Sequence, residues 1–393
     1  MWTKPFTLTL VASFLIFIPY SLYLPILPVY VLEELHGSLV VAGLVNAFFL
    51  LASVLFRAQT SRFEALFGVR NVLLVSGFLF MFSNCLFLLT DSTVMVLVIR
   101  FCSGACFAVV NTSINALGSR IAPFSRKGEG LGYITMVVTA GNAVGPFIGL
   151  KLAGSFGFVG VFIFCTAIAL VGFIISLLIP VREQPAAEQA AVGRFALRNL
   201  IEARALPVSS IVLLLSFAYA AVITFVTVYA VSIGLQTAAT YFFVVLATCS
   251  IGSRVFTGRI YDRFGPDVVI YPAIVFLSLG LLLLGAAGST PAMLSAAVLI
   301  GFAYGAAVPA LLTLAVQHSP PQRISAVTAT YFTFLDIGLG AGAYLVGAGI
   351  PYFGYAGLYL LLSPFVLAVA MLYYTLKHRR NSARLLPSTG KLT

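Results

Sequence analysis

Apolar and polar positions alternate along this chain in long blocks. Mostly apolar runs cover about 6–32, 38–58, 71–90, 93–118, 129–152 and 157–180, then about 208–232, 237–258, 267–287, 291–317, 324–349 and 354–376. An α-helix needs about 20 apolar residues to cross the hydrocarbon core of a bilayer, and each run reaches roughly that length. The pattern predicts an all-α membrane protein of twelve transmembrane helices, since a lone spanning segment must satisfy its own backbone groups. The first run follows Lys4 but is too long for a signal-peptide core, and no A-x-A site follows it, so it reads as an uncleaved helix. One long polar stretch interrupts the series: 181–207 carries Arg182, Glu183, Glu188, Arg194, Arg198, Glu202 and Arg204. The expected organisation is therefore a six-helix bundle over 1–180, a cytoplasmic linker over 181–207, a second bundle over 208–376 and a cytoplasmic tail over 377–393.

Composition agrees with that pattern. Of 393 residues, 61% are hydrophobic and 8% charged, against about 25% charged in soluble domains. The net charge of +11 does not point to nucleic acid, because the basic residues sit in short loops between apolar runs. All of them except Arg100 and Lys151 fall on one side of a twelve-helix topology, with both termini and the linker. The positive-inside rule makes that side cytoplasmic, in an inner or plasma membrane. Cys85, Cys102, Cys106, Cys165 and Cys249 lie in apolar runs without metal-ligand spacing. His36, His318 and His378 fall in loops or the tail. No G-x-x-x-x-G-K-[ST] loop is present, so ATP is not the direct energy source. No cofactor, metal or enzyme activity is expected, and the protein is expected to work as a monomer.

The second half repeats the first at a shift of 197 residues, without a gap. Arg57 meets Arg254, Arg62 meets Arg259, Phe67-Gly68 meets Phe264-Gly265, and Gly104 meets Gly301. Gly141 and Gly145 meet Gly338 and Gly342, and Phe156-Gly157 meets Phe353-Gly354. Repeats of six helices each run parallel, related by an axis along the membrane normal. Two such halves rocking about a midplane site constitute an alternating-access transporter.

Gly141, Gly145 and Gly149 lie along one helix face, where a neighbouring backbone can approach closely. Pro146 removes a hydrogen bond between them. Pro19, Pro25 and Pro28 are expected to break the outer half of the first helix, where Tyr20 and Tyr23 offer hydroxyls.

These residues resemble the major facilitator superfamily over almost the whole chain. Gly258-Arg259-Ile260-Tyr261-Asp262-Arg263-Phe264-Gly265 is similar to the family's cytoplasmic signature G-x-L-x-D-R-x-G. The first-half copy departs from it: Ser61, Ala65 and Leu66 replace the glycine, aspartate and arginine, while Gly68 and Arg70 remain. The resemblance implies a latch between the halves at these loops, with Arg62 and Glu64 as substitutes in the first. Arg100-x-x-x-Gly104 is similar to the fourth-helix signature whose arginine is tied to proton coupling. Gly141 to Gly149 resembles the g-x-x-x-G-P-x-x-G-G seam of proton-coupled exporters, with Leu150 in place of the last glycine, and Pro25-Ile26-Leu27-Pro28 resembles the P-x-x-P of drug exporters.

Two charges lie well inside apolar runs, where charge is costly and marks function. Asp336 has no first-half counterpart, since Thr139 stands at the repeated position. It can carry a proton, form a structural pair with an arginine or hydroxyl, or take part in gating. Arg100, Gly104, Asn111 and Asn115 cluster on one helix face at roughly 100° per residue, which points to a wet cavity or, for Arg100, to snorkelling toward the helix end. Asn46, Asn84, Tyr219 and Tyr304 are further cavity candidates, each with helix packing as the alternative. The gating set is Arg57, Arg62, Glu64, Gly68, Arg70, Gly141, Gly145, Pro146, Gly149, Arg254, Gly258, Asp262, Arg263 and Gly265. The reading is an exporter of a small organic drug or metabolite in exchange for protons, with Asp336 and Arg100 as the coupling residues. A nutrient symporter, a lipid flippase or a non-transporting receptor on the same fold are the alternatives.

Overall fold

The computed structural model describes residues 2–57, 59–121, 127–180, 202–317 and 324–385. Most of the expected linker, the end of the tail, and Arg126 and Arg323 lie outside the described residues. The helices are α1 (Lys4–Glu33), α2 (Leu39–Arg57), α3 (Thr60–Phe67), α4 (Val69–Leu86), α5 (Thr93–Ile121), α6 (Lys127–Leu177), α7 (Leu206–Ser232), α8 (Gln236–Phe264), α9 (Asp267–Gly285), α10 (Thr290–Gln317) and α11 (Ile324–Leu385). Among the described residues, ten helices are long and apolar enough to cross a membrane.

Two of the ten cross twice. α6 runs for 51 residues and α11 for 62, which at about 1.5 Å per residue is far more than a bilayer core. Each reverses at one glycine in the left-handed region, Gly157 (φ 66°) and Gly354 (φ 66°). The packing order proves the reversal. Along the first arm of α6, Gly141 faces Phe17, Gly145 faces Ile18 and Leu22, and Gly149 faces Leu22 and Ile26, so this arm runs parallel to α1. Along the second arm, Phe158 meets Tyr30, Phe162 meets Tyr23, and Gly172 meets Leu15 and Ile16, so this arm runs back. In α11, Gly338 and Gly342 follow Leu213 and Phe217 of α7, and then Tyr355, Tyr359 and Phe365 return past Tyr229, Ala221 and Phe217. The crossings are thus twelve, and the four-residue loops expected before Gly157 and Gly354 are instead helical.

The repeat holds in three dimensions. Gly68 and Gly265 share a positive φ (80° and 86°). Gly104 presses on the backbone of Phe49 just as Gly301 presses on that of Leu246. Every one of these pairs is 197 residues apart. At Gly157 and Gly354 an added Cβ would meet nothing within 4 Å, so substitution there costs backbone strain alone. For Gly157→Ala and Gly354→Ala we expect equal losses of about 1–3 kcal/mol, adding in the double variant because the sites are distant. Thermal unfolding of the three purified proteins checks this.

Two local expectations are corrected. The polar segment after α2 is not all loop, since it forms the eight-residue α3. And α1 is continuous through Pro19, Pro25 and Pro28, all of them buried. A proline in a helix strands the carbonyl four residues earlier; the helix is largely buried among its neighbours, and the Leu24 carbonyl stranded by Pro28 takes a new donor from Asn46 Nδ2.

Candidate functional site

The two halves meet most intimately where α2 lies antiparallel on the first arm of α11. Gly347 sits against the carbonyl of Leu39, Gly43 against the backbone of Ala343, and Gly340 against Ala47 and Leu50. Small residues on both helices let the backbones touch. One turn beyond that seam, toward the termini, Arg57 Nη2 stands 3.0 Å from Asp336 Oδ2. The Asp336 side chain is 8% exposed and that of Arg57 25%. Arg57 Nη2 also donates to Ser53 Oγ at 3.2 Å. Asp336 Oδ2 and Arg57 Nε lack aligned hydrogen bonds, so the pair is held by charge more than by directional bonding. Such a pair gains little over its desolvation cost and can be opened.

Arg100 is placed differently from expectation. It is fully buried and faces α2, not water. Its Nε donates to the Val45 carbonyl and its Nη2 to Asn46 Oδ1, both at 3.3 Å. Its guanidinium lies 4.2 Å from the centroid of the Phe49 ring. Gly104, one turn on, lets α5 come close enough to α2 for these contacts. Snorkelling is excluded by the same burial. Further along the stripe, Asn111 and Asn115 are half-buried and joined by one hydrogen bond, Asn115 Nδ2 donating to Asn111 Oδ1 at 2.8 Å, while the buried Asn115 Oδ1 has no partner among the described residues.

Asn46 is buried too. Its Nδ2 donates to the Leu24 carbonyl (2.8 Å) and to Thr224 Oγ1 in the other half (3.3 Å). Tyr23 is buried against Phe87 and Phe162. Asn84 is likewise internal, donating to Phe80 of its own helix.

Three tyrosines remain half-buried at the seam. Tyr20 of α1 stacks on Phe107 (4.5 Å, 13°). Tyr219 of α7 and Tyr304 of α10 stack face to face (3.7 Å, 8°), with a 3.0 Å hydrogen bond between Tyr304 and Ser216. Asp336 and Arg57 act electrostatically on Tyr20, Asp336 also on Tyr304, and Arg254 on both Tyr219 and Tyr304. Aromatic side chains from both halves, Tyr20 and Tyr304, thus lie within the electrostatic reach of Asp336, whose pair with Arg57 joins the halves.

The loop residues distribute unevenly. Glu64 Oε1 accepts a 2.6 Å hydrogen bond from Ser113 of the same half, and Arg62 and Arg70 are exposed. The link across halves is made by Arg57, not by Arg62 and Glu64. In the second copy Gly258, Asp262 and Arg263 are exposed, and Arg263 lies over Phe264. Gly68 and Gly265 form the turns. Gly141, Gly145 and Gly149 pack on α1, where Ser21 Oγ donates to the Gly141 carbonyl at 2.8 Å, and Pro146 is buried. Thr224, Ser53 and Ser113 were not anticipated. Pro28 was the available signal for the Asn46 contact, since it strands the Leu24 carbonyl.

Twelve crossings in two parallel halves, with charge and aromatic surface at their seam, define the architecture of a membrane transporter. The chain belongs to the major facilitator superfamily: the family model described as Major Facilitator Superfamily matches residues 9–343 and 273–392. An uncharacterized MFS-type transporter of Methanocaldococcus jannaschii is 23% identical over 387 residues, covering 95% of this chain and 96% of that one. Multidrug resistance protein MdtG of Enterobacter lignolyticus is 28% identical over 403 residues, covering 98% and 95%. Among solved structures, a bacterial homologue of the human lysosomal transporter Spinster, inward-facing and unoccupied, matches with a TM-score of 0.79 at 16% identity, covering 98% of this chain and 100% of that one.

Proposed function

We propose that the protein exports a small organic molecule, a drug or metabolite, in exchange for protons by alternating access. It works from the inner or plasma membrane, with both termini cytoplasmic. The observation that carries this reading is the Arg57–Asp336 pair, a buried acid that joins the two halves, with the half-buried Tyr20 and Tyr304 within its electrostatic reach. A proton on Asp336 removes the charge that holds Arg57, and the partly exposed guanidinium turns to water. The seam is then free to move on the side of the termini. Tyr20, Tyr219 and Tyr304 offer the cargo its aromatic contact. The resemblance to MdtG supports export. In α1 the only acid is Glu33, at the helix end, which favours neutral or anionic cargo over cations.

Flux in proteoliposomes tests this, with an imposed proton gradient and a panel of cationic, anionic and neutral compounds. Cargo moving against the proton flow is the expected result. Cargo moving with it replaces the exporter by a symporter. Lipid scrambling without solute flux replaces both by a flippase.

A further inference from the structure

We propose that Asn46 and Thr224 form a latch between the halves at the end of the bundle away from the termini, and that Arg100 positions this latch and does not touch cargo. The argument begins at Pro28. It has no N–H, so the carbonyl of Leu24, four residues earlier, loses its helical donor. Asn46 Nδ2 supplies the replacement at 2.8 Å. On the other side of the amide, Arg100 Nη2 donates to Oδ1. An arginine only donates and a carbonyl only accepts, so the amide has one orientation and cannot flip. Its remaining N–H is thereby aimed at Thr224 Oγ1 on α7, 3.3 Å away. Proline, asparagine and arginine of one half thus present a single fixed donor to the other.

The surroundings are dry. Asn46 and Thr224 are each 1% exposed and Arg100 not at all. The backbone contacts of Gly43 with Ala343 and of Gly347 with Leu39 close the same end. In such a setting a polar bond is strong and an unmade one costly. The bond is nonetheless releasable. When the halves part, Asn46 keeps Leu24 and Arg100, and the Thr224 hydroxyl can turn to a carbonyl of its own helix. One hydrogen bond is exchanged and no charge is orphaned. That distinguishes a latch from a weld.

The inference does not depend on cargo or protons, and its test needs neither. Ile223, beside Thr224, is 9% exposed and packs in the cluster that contains Leu24. Placed alone in a protein lacking the five native cysteines, Ile223→Cys reports opening of this end through its rate of reaction with an impermeant maleimide. The rate follows the open population when opening is fast relative to labelling. Thr224→Val should raise it about fivefold, the worth of one net hydrogen bond, and Arg100→Met should raise it as well. Thr224→Ser, which keeps the hydroxyl, should leave it unchanged. Cys165, buried inside the first half, kept as the sole cysteine in a parallel protein, reports global unfolding and should hold its rate. Thr224→Ala serves where valine does not fold. An unchanged Ile223→Cys rate in Thr224→Val or Thr224→Ala overturns the proposal, as does an equal rise at Cys165.

Discussion

Asp336→Asn should abolish proton-driven accumulation of cargo in proteoliposomes, bringing it to the level of empty vesicles, while downhill exchange continues. Asparagine keeps the size and much of the hydrogen bonding of aspartate but cannot take up or release a proton at physiological pH. The protein should still fold. Removing one member of a buried pair commonly costs about 3–5 kcal/mol, because the other charge is stranded. Here the stranded charge is Arg57, whose side chain is 25% exposed and already hydrogen-bonded to Ser53. Its long stem can carry the head to water, so the cost should be well below that range. Loss of coupling in a protein with near-native melting is therefore the expected signature. Coupling that survives the substitution makes the pair structural and moves the search for the proton site to Glu33 and Glu34.

Gly104→Ala should be the most disruptive single methyl group in the first half. Its Cβ would overlap the carbonyl of Phe49 and lie 2.9 Å from the carbonyl and α carbons of that residue. Backbone atoms cannot rotate away, so α5 must lift off α2. Overpacking of this kind costs about 1–3 kcal/mol. It should also cost function, because Arg100, one turn earlier, reaches Val45 and Asn46 of the same helix. Gly154→Ala is the control, with nothing within 4 Å of its added Cβ. Thermal unfolding and flux of the two variants side by side should separate them, with Gly154→Ala unchanged or slightly more stable.

The architecture was legible because membrane helices announce themselves by length and apolarity, and because a gapless repeat leaves glycine pairs at one offset. Boundaries were less legible. Gly157 and Gly354 reverse the chain within one residue, and hydropathy averaged over a run cannot tell a one-residue turn from a four-residue loop. The site divided along a physical line. Asp336 stood out because charge in an apolar run is rare. Its partner could not be read, since which arginine or hydroxyl meets it depends on which helix of the other half lies opposite. Arg100 was assigned to a wet cavity from helical periodicity. Periodicity says which residues share a face but not what the face meets, and Gly104 decides that by admitting α2. Most of the linker, Arg126 and Arg323 lie outside the described residues.

Asn46 and Arg57 are eleven residues apart on α2, which places them about 20° from one another around the helix and about 16 Å apart along it. Both reach into the opposite half. A stiff helix tied at two points along one face is a beam. If it pivots midway between the ties, a tilt of about 10° moves each end by roughly 1.4 Å over a lever arm of about 8 Å. That displacement stretches a hydrogen bond or an ion pair beyond use at one end and compresses the contact at the other. A single rigid helix can therefore keep both faces of the bundle from opening together, and a leak would require bending the beam itself.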